Sequence, residues 1–418
     1  MKILHINTFQ EGGAAWCARR ISNALVKEGI DSRMLFANGK TIPEGIKGAI
    51  AERDFEFWYS NPILATIKHL LMRLPWYMDE EKMKKIIELN NTDKLFLHQP
   101  YSCYKNIAHH PLVEWADIIH LHWVSDFVDY PTFFKKVRKP IVWTLHDKYP
   151  VCGIQHYCSN FFPVPEQLKE IDSYCKKIKR SAVIQAKKLQ VVAISEQMQH
   201  LCSSSEVLNG FPSTLIHNGV NIDVFKPECI QYTPFHKEML SLPKETVKFM
   251  FSAYHIWDEN KGLNRVIEAL EKVKNVLGRP IALIIVGRVN ETDSRPYASF
   301  PLILTGLIKD QSVLSSLYTY IDFFIQSAYE ETFAQTPLEA MACGTPVIST
   351  PCSGASDLIR PFNGVVLEDY DSSSLKDGII KALSMNFDSD KIRCYIKENF
   401  DYNIIAREYI ELYNRILK

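Results

Sequence analysis

Two series of short, nearly unbroken apolar runs constrain this chain more than any single motif. Each run ends at polar or glycine-containing residues, and helical periodicity separates it from the next. Runs of that kind are strands buried on both faces, which occur in parallel sheets covered by helices. The first series comprises residues 1–9, 32–36, 118–121, 141–145 and 190–194; the second comprises 247–253, 281–286, 303–304, 323–326 and 347–349. Between them, residues 216–221 and a polar stretch from Lys226 to Pro243 carry turn signals and little periodicity, marking a linker. A length of 418 residues is too great for one ordinary core. The expected fold is therefore α/β with two doubly wound, Rossmann-like domains. The last segment, with Ile404, Ile405, Tyr409, Ile410, Leu412, Tyr413 and Ile416 at helical intervals, should pack one face against something.

Lys plus Arg and Asp plus Glu both number 48, so the summed field offers no footprint for nucleic acid and no general attraction to anionic lipid. Any phosphate recognition must be local. The opening MKILHINTF lacks a basic-then-apolar leader pattern, and no apolar run reaches the ~20 residues that span a bilayer. A cytoplasmic location is expected. Ten cysteines scattered along such a chain should stay reduced, without structural disulfides. His146, Cys152, His156, Cys158 and Cys175 lie close in sequence, but their spacing fits no closed four-ligand motif, so no metal and no cofactor are expected. Residues 55–77 mix aromatic and aliphatic side chains with Lys68 and Arg73. Two readings are open there: a helix covering the N-terminal sheet, or a segment in a membrane interface, which would give peripheral contact at the inner face of a membrane.

The most informative stretch runs from Tyr329 to Val347 and reads as strand end, loop, short helix, strand. Thr336 is expected as N-cap with Pro337 at the first helical position, and Gly344 as the stop. A helix N-terminus at the carboxyl end of a sheet is a natural diphosphate site, here near Phe333, Ala334 and Gln335, and Glu331 and Glu339 bracket it. Taken alone, Thr336-Pro337-Leu338-Glu339 is equally a capping box, in which Glu339 only satisfies a backbone donor. Lys261-Gly262 follows a strand and precedes a helix, placing an ammonium where a departing diphosphate would gain charge. Gly12 and Gly13 permit close backbone approach at the first βα turn. His120 and His122 stand at a strand end. They are read as pointing to opposite sides, with His122 facing the ligand, and His146 is a second candidate at the next strand end.

Glu331 and Glu339, separated by seven residues and followed by Ala340-Met341-Ala342-Cys343-Gly344-Thr345-Pro346-Val347, resemble the paired-glutamate signature of retaining GT-B glycosyltransferases, family 4 in particular. The resemblance continues, in the family's order, through Gly12-Gly13-Ala14, His120-Leu121-His122, Val192–Ser195, Asn218–Asn221, Lys261-Gly262 and Thr305–Ile308. It implies a GT-B fold whose two domains face a central cleft: residues 1–222 for the acceptor, residues 223–398 for the nucleotide sugar, and a C-terminal helix, 399–418, crossing back to the first domain. It further implies that His122, Lys261 and Glu331 serve the reaction. Gly13, Phe333, Ala334, Gln335 and Glu339 would hold the donor, with Gly12, Ala14 and His146 on the acceptor side. The implied partners are a nucleoside diphosphate sugar and a saccharide acceptor, free or polyprenyl-linked, without metal. The cysteine-containing stretch after His146-Asp147 is similar to one found in exopolysaccharide and colanic-acid-type members.

The sequence departs from the family where an arginine usually precedes the lysine, since residues 254–260 contain none; Arg288, after another strand, is the candidate substitute. Thr332 and Ala334 stand where glycines are usual. Two alternatives to a transferase therefore stay open: a non-catalytic, nucleotide-binding subunit, and a sugar-nucleotide epimerase of the same fold.

Overall fold

The structure, a computed structural model, describes residues 1–53, 66, 70, 78–91, 96–157, 159–227, 236–290, 292–352 and 354–418. Apart from Thr66 and Leu70, which are helical, the amphipathic segment 55–77 lies outside the described residues, as does Cys158. The chain divides into two compact units, residues 1–216 with 406–418, and residues 217–405.

The first unit is built on seven parallel strands: β1 (Lys2–Asn7), β2 (Asp31–Phe36), β3 (Gly48–Ile50), β4 (Ile118–Leu121), β5 (Ile141–Leu145), β6 (Leu189–Ala193) and β7 (Ser213–Leu215). Their spatial order is β3-β2-β1-β4-β5-β6-β7. The chain winds outward from β1 through β2 to β3, then returns to lay β4 on the other side of β1. That reversal opens a crevice at the carboxyl ends of β1 and β4, where doubly wound sheets bind ligands. Ile3, Leu4, Ile119, Leu121, Val142 and Trp143 are fully buried, as strands covered on both faces require. The helix Gly13–Lys27 follows β1 and buries Ala15, Ala18, Ile21, Ala24 and Leu25, a spacing that keeps one face on the sheet.

The second unit repeats the plan with β8 (Val247–His255), β9 (Ile281–Arg288), β10 (Leu302–Gly306), β11 (Phe323–Gln326), β12 (Val347–Ser349) and β13 (Gly364–Val366), in the order β10-β9-β8-β11-β12-β13. Here the reversal lies between β8 and β11. The helix Leu263–Leu277 buries Leu263, Val266, Ala269, Leu270 and Val273 against this sheet.

The final helix, Tyr402–Leu417, begins in the second unit and ends in the first. Its buried residues include Ile405, Tyr409, Leu412, Tyr413 and Ile416. Two of its tyrosines are tied beneath the first sheet: Tyr413 Oη lies 2.7 Å from His120 Nδ1, and Tyr409 Oη 2.8 Å from Thr144 Oγ1. Lys188 caps it by donating to the Ile416 carbonyl. All eight cysteines among the described residues are thiols. No helix among the described residues is long and apolar enough to cross a membrane.

Candidate functional site

In the second unit the loops after β8 and β11 meet at the reversal point. Lys261 Nζ lies 2.5 Å from Glu331 Oε2, and both side chains keep about a fifth of their surface exposed, 23% and 21%. The two loops are stitched together from below. Asn260 Nδ2 donates to the Glu330 carbonyl at 2.8 Å while its Oδ1 accepts from Glu330 N at 2.8 Å, and Tyr329 N donates to the Asn260 carbonyl at 2.9 Å. Ser327 Oγ donates to the Lys261 carbonyl at 2.6 Å. Asn260 is fully enclosed, so this pairing fixes where the ammonium and the carboxylate stand. Asn260→Ala leaves the Glu330 amide and carbonyl unpaired in a buried place, which costs about 1–3 kcal/mol. A thermal midpoint lowered by several degrees, together with weaker nucleotide binding, is the expected outcome by calorimetry; an unchanged midpoint would contradict it.

Sequence reasoning missed Asn260 and also Arg265. The Arg265 guanidinium lies 3.5 Å from the centre of the Tyr329 ring and donates to the Ser327 carbonyl at 2.6 Å. It folds back across Gly262, whose φ of +75° and lack of Cβ admit it; a Cβ there would sit 2.1 Å from Arg265 Nη2. This arginine is engaged in bracing the loop. Arg288 ends β9 with its side chain exposed, while its carbonyl accepts from Ile256 N.

The helix after β11 spans Gln335–Ala342, with Ala334 at the N-cap and no side-chain cap. The expected cap at Thr336 is therefore wrong by two residues. Thr336 and Pro337 lie inside the first turn, so the capping box does not form. A threonine-proline pair signals a helix start only when nothing else shapes the entry. Here Phe333, buried and stacked on His217 at 5.3 Å, carries the chain into the helix earlier. Glu339 thus sits in the second turn, nearly enclosed, and accepts from Tyr318 Oη at 3.4 Å. Gly344, at φ +85°, ends the helix as expected. This helix end has no side-chain cap, and Pro337 in its first turn has no N–H.

In the first unit, Gly12 adopts φ +101°, and a Cβ on Gly12 or Gly13 would meet nothing within 4 Å. Open space therefore lies before the helix that begins Gly13, Ala14. The two strand-end histidines do not point to opposite sides. Residues two apart on a strand share a face, and the His120 and His122 rings lie 4.2 Å apart. His5, the partner of His120 in register on β1, joins them. A line of hydrogen bonds results: His5 Nδ1 to His122 Nε2 at 2.8 Å, and His122 Nδ1 to His146 Nε2 at 2.9 Å. Burial pushes the pKa of His5 down to about 3 and that of His146 to about 4, and pushes His120 and His122 well below the ordinary value. The four rings are neutral. His5, His120 and His122 also bring ring nitrogens within 4.8 Å of one another, but those of His120 and His122 are taken up by neighbours. The stretch 146–175 makes no ligand cluster among the described residues: Cys175 Sγ instead contacts Met83 Sδ.

Two parallel, doubly wound units, the second sending its last helix back to the first, define a protein of the GT-B fold. It is related to glycosyltransferases of the exopolysaccharide type, and residues 240–399 match the family Glycosyl transferases group 1. The chain is 26% identical to an uncharacterized glycosyltransferase of Methanocaldococcus jannaschii over 54% of its own length and 58% of that protein's. It spans only a little over half the length of the first curated relatives it matches. A putative colanic acid biosynthesis glycosyl transferase of Escherichia coli is 23% identical over 88% of each chain. Among solved structures, Anabaena HepE in complex with UDP-glucose superposes with a TM-score of 0.63 at 16% identity, covering 99% of this chain and 100% of that one.

Proposed function

We propose that this chain transfers a hexose-like unit from a nucleoside diphosphate sugar to a saccharide acceptor, free or lipid-linked, with retention of configuration, in surface polysaccharide assembly. The observation that carries the reading is the Lys261–Glu331 pair, held at the reversal point of the second sheet beside an uncapped helix end. An ammonium paired with a carboxylate that keeps part of its surface exposed can exchange partners. When a diphosphate arrives, Lys261 turns to it, and Glu331 is released to accept a hydroxyl hydrogen bond from the donor sugar. Glu339 and the amides near Phe333–Gln335 complete the donor contacts, and Arg288 adds charge from the neighbouring strand. The bond from the anomeric carbon to the diphosphate breaks as the acceptor oxygen bonds to that carbon from the same face. The acceptor proton passes to the departing diphosphate. His122, with Gly12, Ala14 and His146, serves the acceptor side in the first unit. The relationship to capsule- and colanic-acid-type enzymes supports the polysaccharide assignment.

Calorimetric titration with UDP, GDP, ADP and dTDP tests the donor site. Binding of one diphosphate, weakened at least tenfold by Glu339→Ala and by Lys261→Ala, is expected. Absence of binding to all four would favour a non-catalytic role, and turnover of donor without acceptor into an isomeric nucleotide sugar would favour an epimerase.

A further inference from the structure

The first unit carries an exposed aromatic cluster that none of the roles above uses. Phe9 and Phe96 are 42% and 54% exposed, and both pack on Trp123, with ring centres 5.0 Å and 5.9 Å away. Beneath them a chain of polar contacts fixes the indole. Trp123 Nε1 donates to Asp147 Oδ2 at 2.6 Å, the same oxygen lies 2.5 Å from His156 Nδ1, and Tyr149 N donates to Asp147 Oδ1 at 3.0 Å. Burial pushes the Asp147 carboxyl up, but the His156 ring and these donors outweigh it and keep it below the usual carboxylate range. The chain continues from His156 Nε2 to His98 Nδ1 at 2.7 Å and from His98 Nε2 to Asp126 Oδ2 at 3.2 Å, where it reaches a carboxylate that is 61% exposed.

We propose that Phe9, Phe96 and Trp123 form a prebuilt seat for one pyranosyl ring of the acceptor, with Asp126 and His98 at its polar edge. The proposal rests on the transferase reading for the word acceptor. A pyranose presents a face of C–H bonds and a rim of hydroxyls, so it needs an aromatic surface bordered by hydrogen-bonding groups. Phe9 and Phe96 each pack one side on Trp123 and leave the rest of the ring to water, so an apolar surface stands ready on a rigid base, as a binding surface requires. The carboxylate decides against a bare isoprenoid chain, because covering Asp126 with hydrocarbon would strip the water from a largely exposed charge that the His98 contact alone does not replace. The ring is held by surfaces already in place, so little ordering opposes binding.

Saturation-transfer NMR on the full chain, with the methyl pyranosides of glucose, galactose, mannose and N-acetylglucosamine, tests this. Transfer to the ring C–H protons of at least one glycoside is expected, reduced at least fivefold in Phe96→Ser and Phe9→Ser. Asp126→Asn, which tolerates that residue's φ of +58°, should reduce it severalfold. Titration of the same samples with the four nucleoside diphosphates keeps the two readings apart. Saturation without nucleotide binding would support the seat and remove the donor site. Nucleotide binding with no glycoside saturated, or with saturation equal in the wild type and the variants, would overturn the seat. So would binding to phosphatidylcholine vesicles containing undecaprenyl phosphate that is lost in the phenylalanine variants, since the surface would then hold a lipid.

Discussion

Lys261→Ala is expected to lower the rate of sugar transfer at saturating donor by about 100- to 1,000-fold, the usual effect of removing a preorganised charge from a developing anion. Its ammonium is paired with the Glu331 carboxylate, and its backbone is clamped through Ser327 and the enclosed Asn260, so the fold itself holds the charge in position. The loss should fall mainly on kcat, because charge on the diphosphate grows as the bond to the sugar breaks. Lys261→Arg should recover only part of it, since a planar guanidinium on a longer stem does not fit a site built for a compact ammonium. Glu331→Gln should behave differently: the glutamine still accepts a hydroxyl hydrogen bond while the pairing with Lys261 is removed, so donor KM should change more than kcat. Steady-state kinetics with the donor found by titration checks all three. A Lys261→Ala enzyme with unchanged kcat would mean that the diphosphate is neutralised elsewhere, and Arg288 would be the first residue to replace.

The strands that were legible in the sequence are those buried on both faces. β4, β5, β11 and β12 stand where the apolar runs put them, because a strand in the middle of a parallel sheet must be apolar throughout. β3, β7 and β13 were not legible. Each has three residues and lies at a sheet edge, where one side needs no covering and the pattern thins out. The start of the helix Gln335–Ala342 was misplaced because the packing of Phe333 on His217, distant in sequence, shapes its entry. The lysine and glutamate of the donor site could be named from their motifs, but Asn260 and Arg265, which hold that loop, carry no motif. Their roles depend on backbone groups of residues 327–330, 62 to 70 positions away, and only the meeting of β8 with β11 brings these together. His5 escaped for the same reason: nothing in a single strand shows which histidine will stand opposite it.

The buried histidines make the first unit acid-sensitive, and this should be the largest effect of pH on the protein. His5, His120, His122 and the half-buried His146 are neutral in the folded chain because desolvation penalises their charged form, outweighing the pull of Asp147 on His146, whereas the unfolded chain protonates each near pH 6.5. Folded pKa values below unfolded ones mean that the unfolded state binds more protons as pH falls. Stability is therefore complete above about pH 6.5 and is lost progressively toward pH 4 and below, where His146 and then His5 begin to protonate in place. Each such group contributes a slope of about 1.4 kcal/mol per pH unit once the pH is well under 6.5. Four acting together would remove on the order of 5 kcal/mol per unit, comparable to the whole stability of many domains. The first unit should then unfold near pH 5. Six of the seven tryptophans belong to its sequence, with only Trp257 in the other unit, so denaturant titrations followed by tryptophan fluorescence at pH 7, 6 and 5 report on it directly. His5→Gln, placed in a strand next to His122, should reduce the proton uptake on unfolding by about one. Its midpoint at pH 7 should be lower than the wild type's and its fall with pH shallower, because the lost hydrogen-bond geometry acts at every pH and the lost titration only below 6.5. If the wild-type midpoint stayed constant from pH 7 to pH 5, the four rings would have to be solvated or paired with carboxylates in the folded state, and the hydrogen-bonded line His5–His122–His146 could not be the resting arrangement.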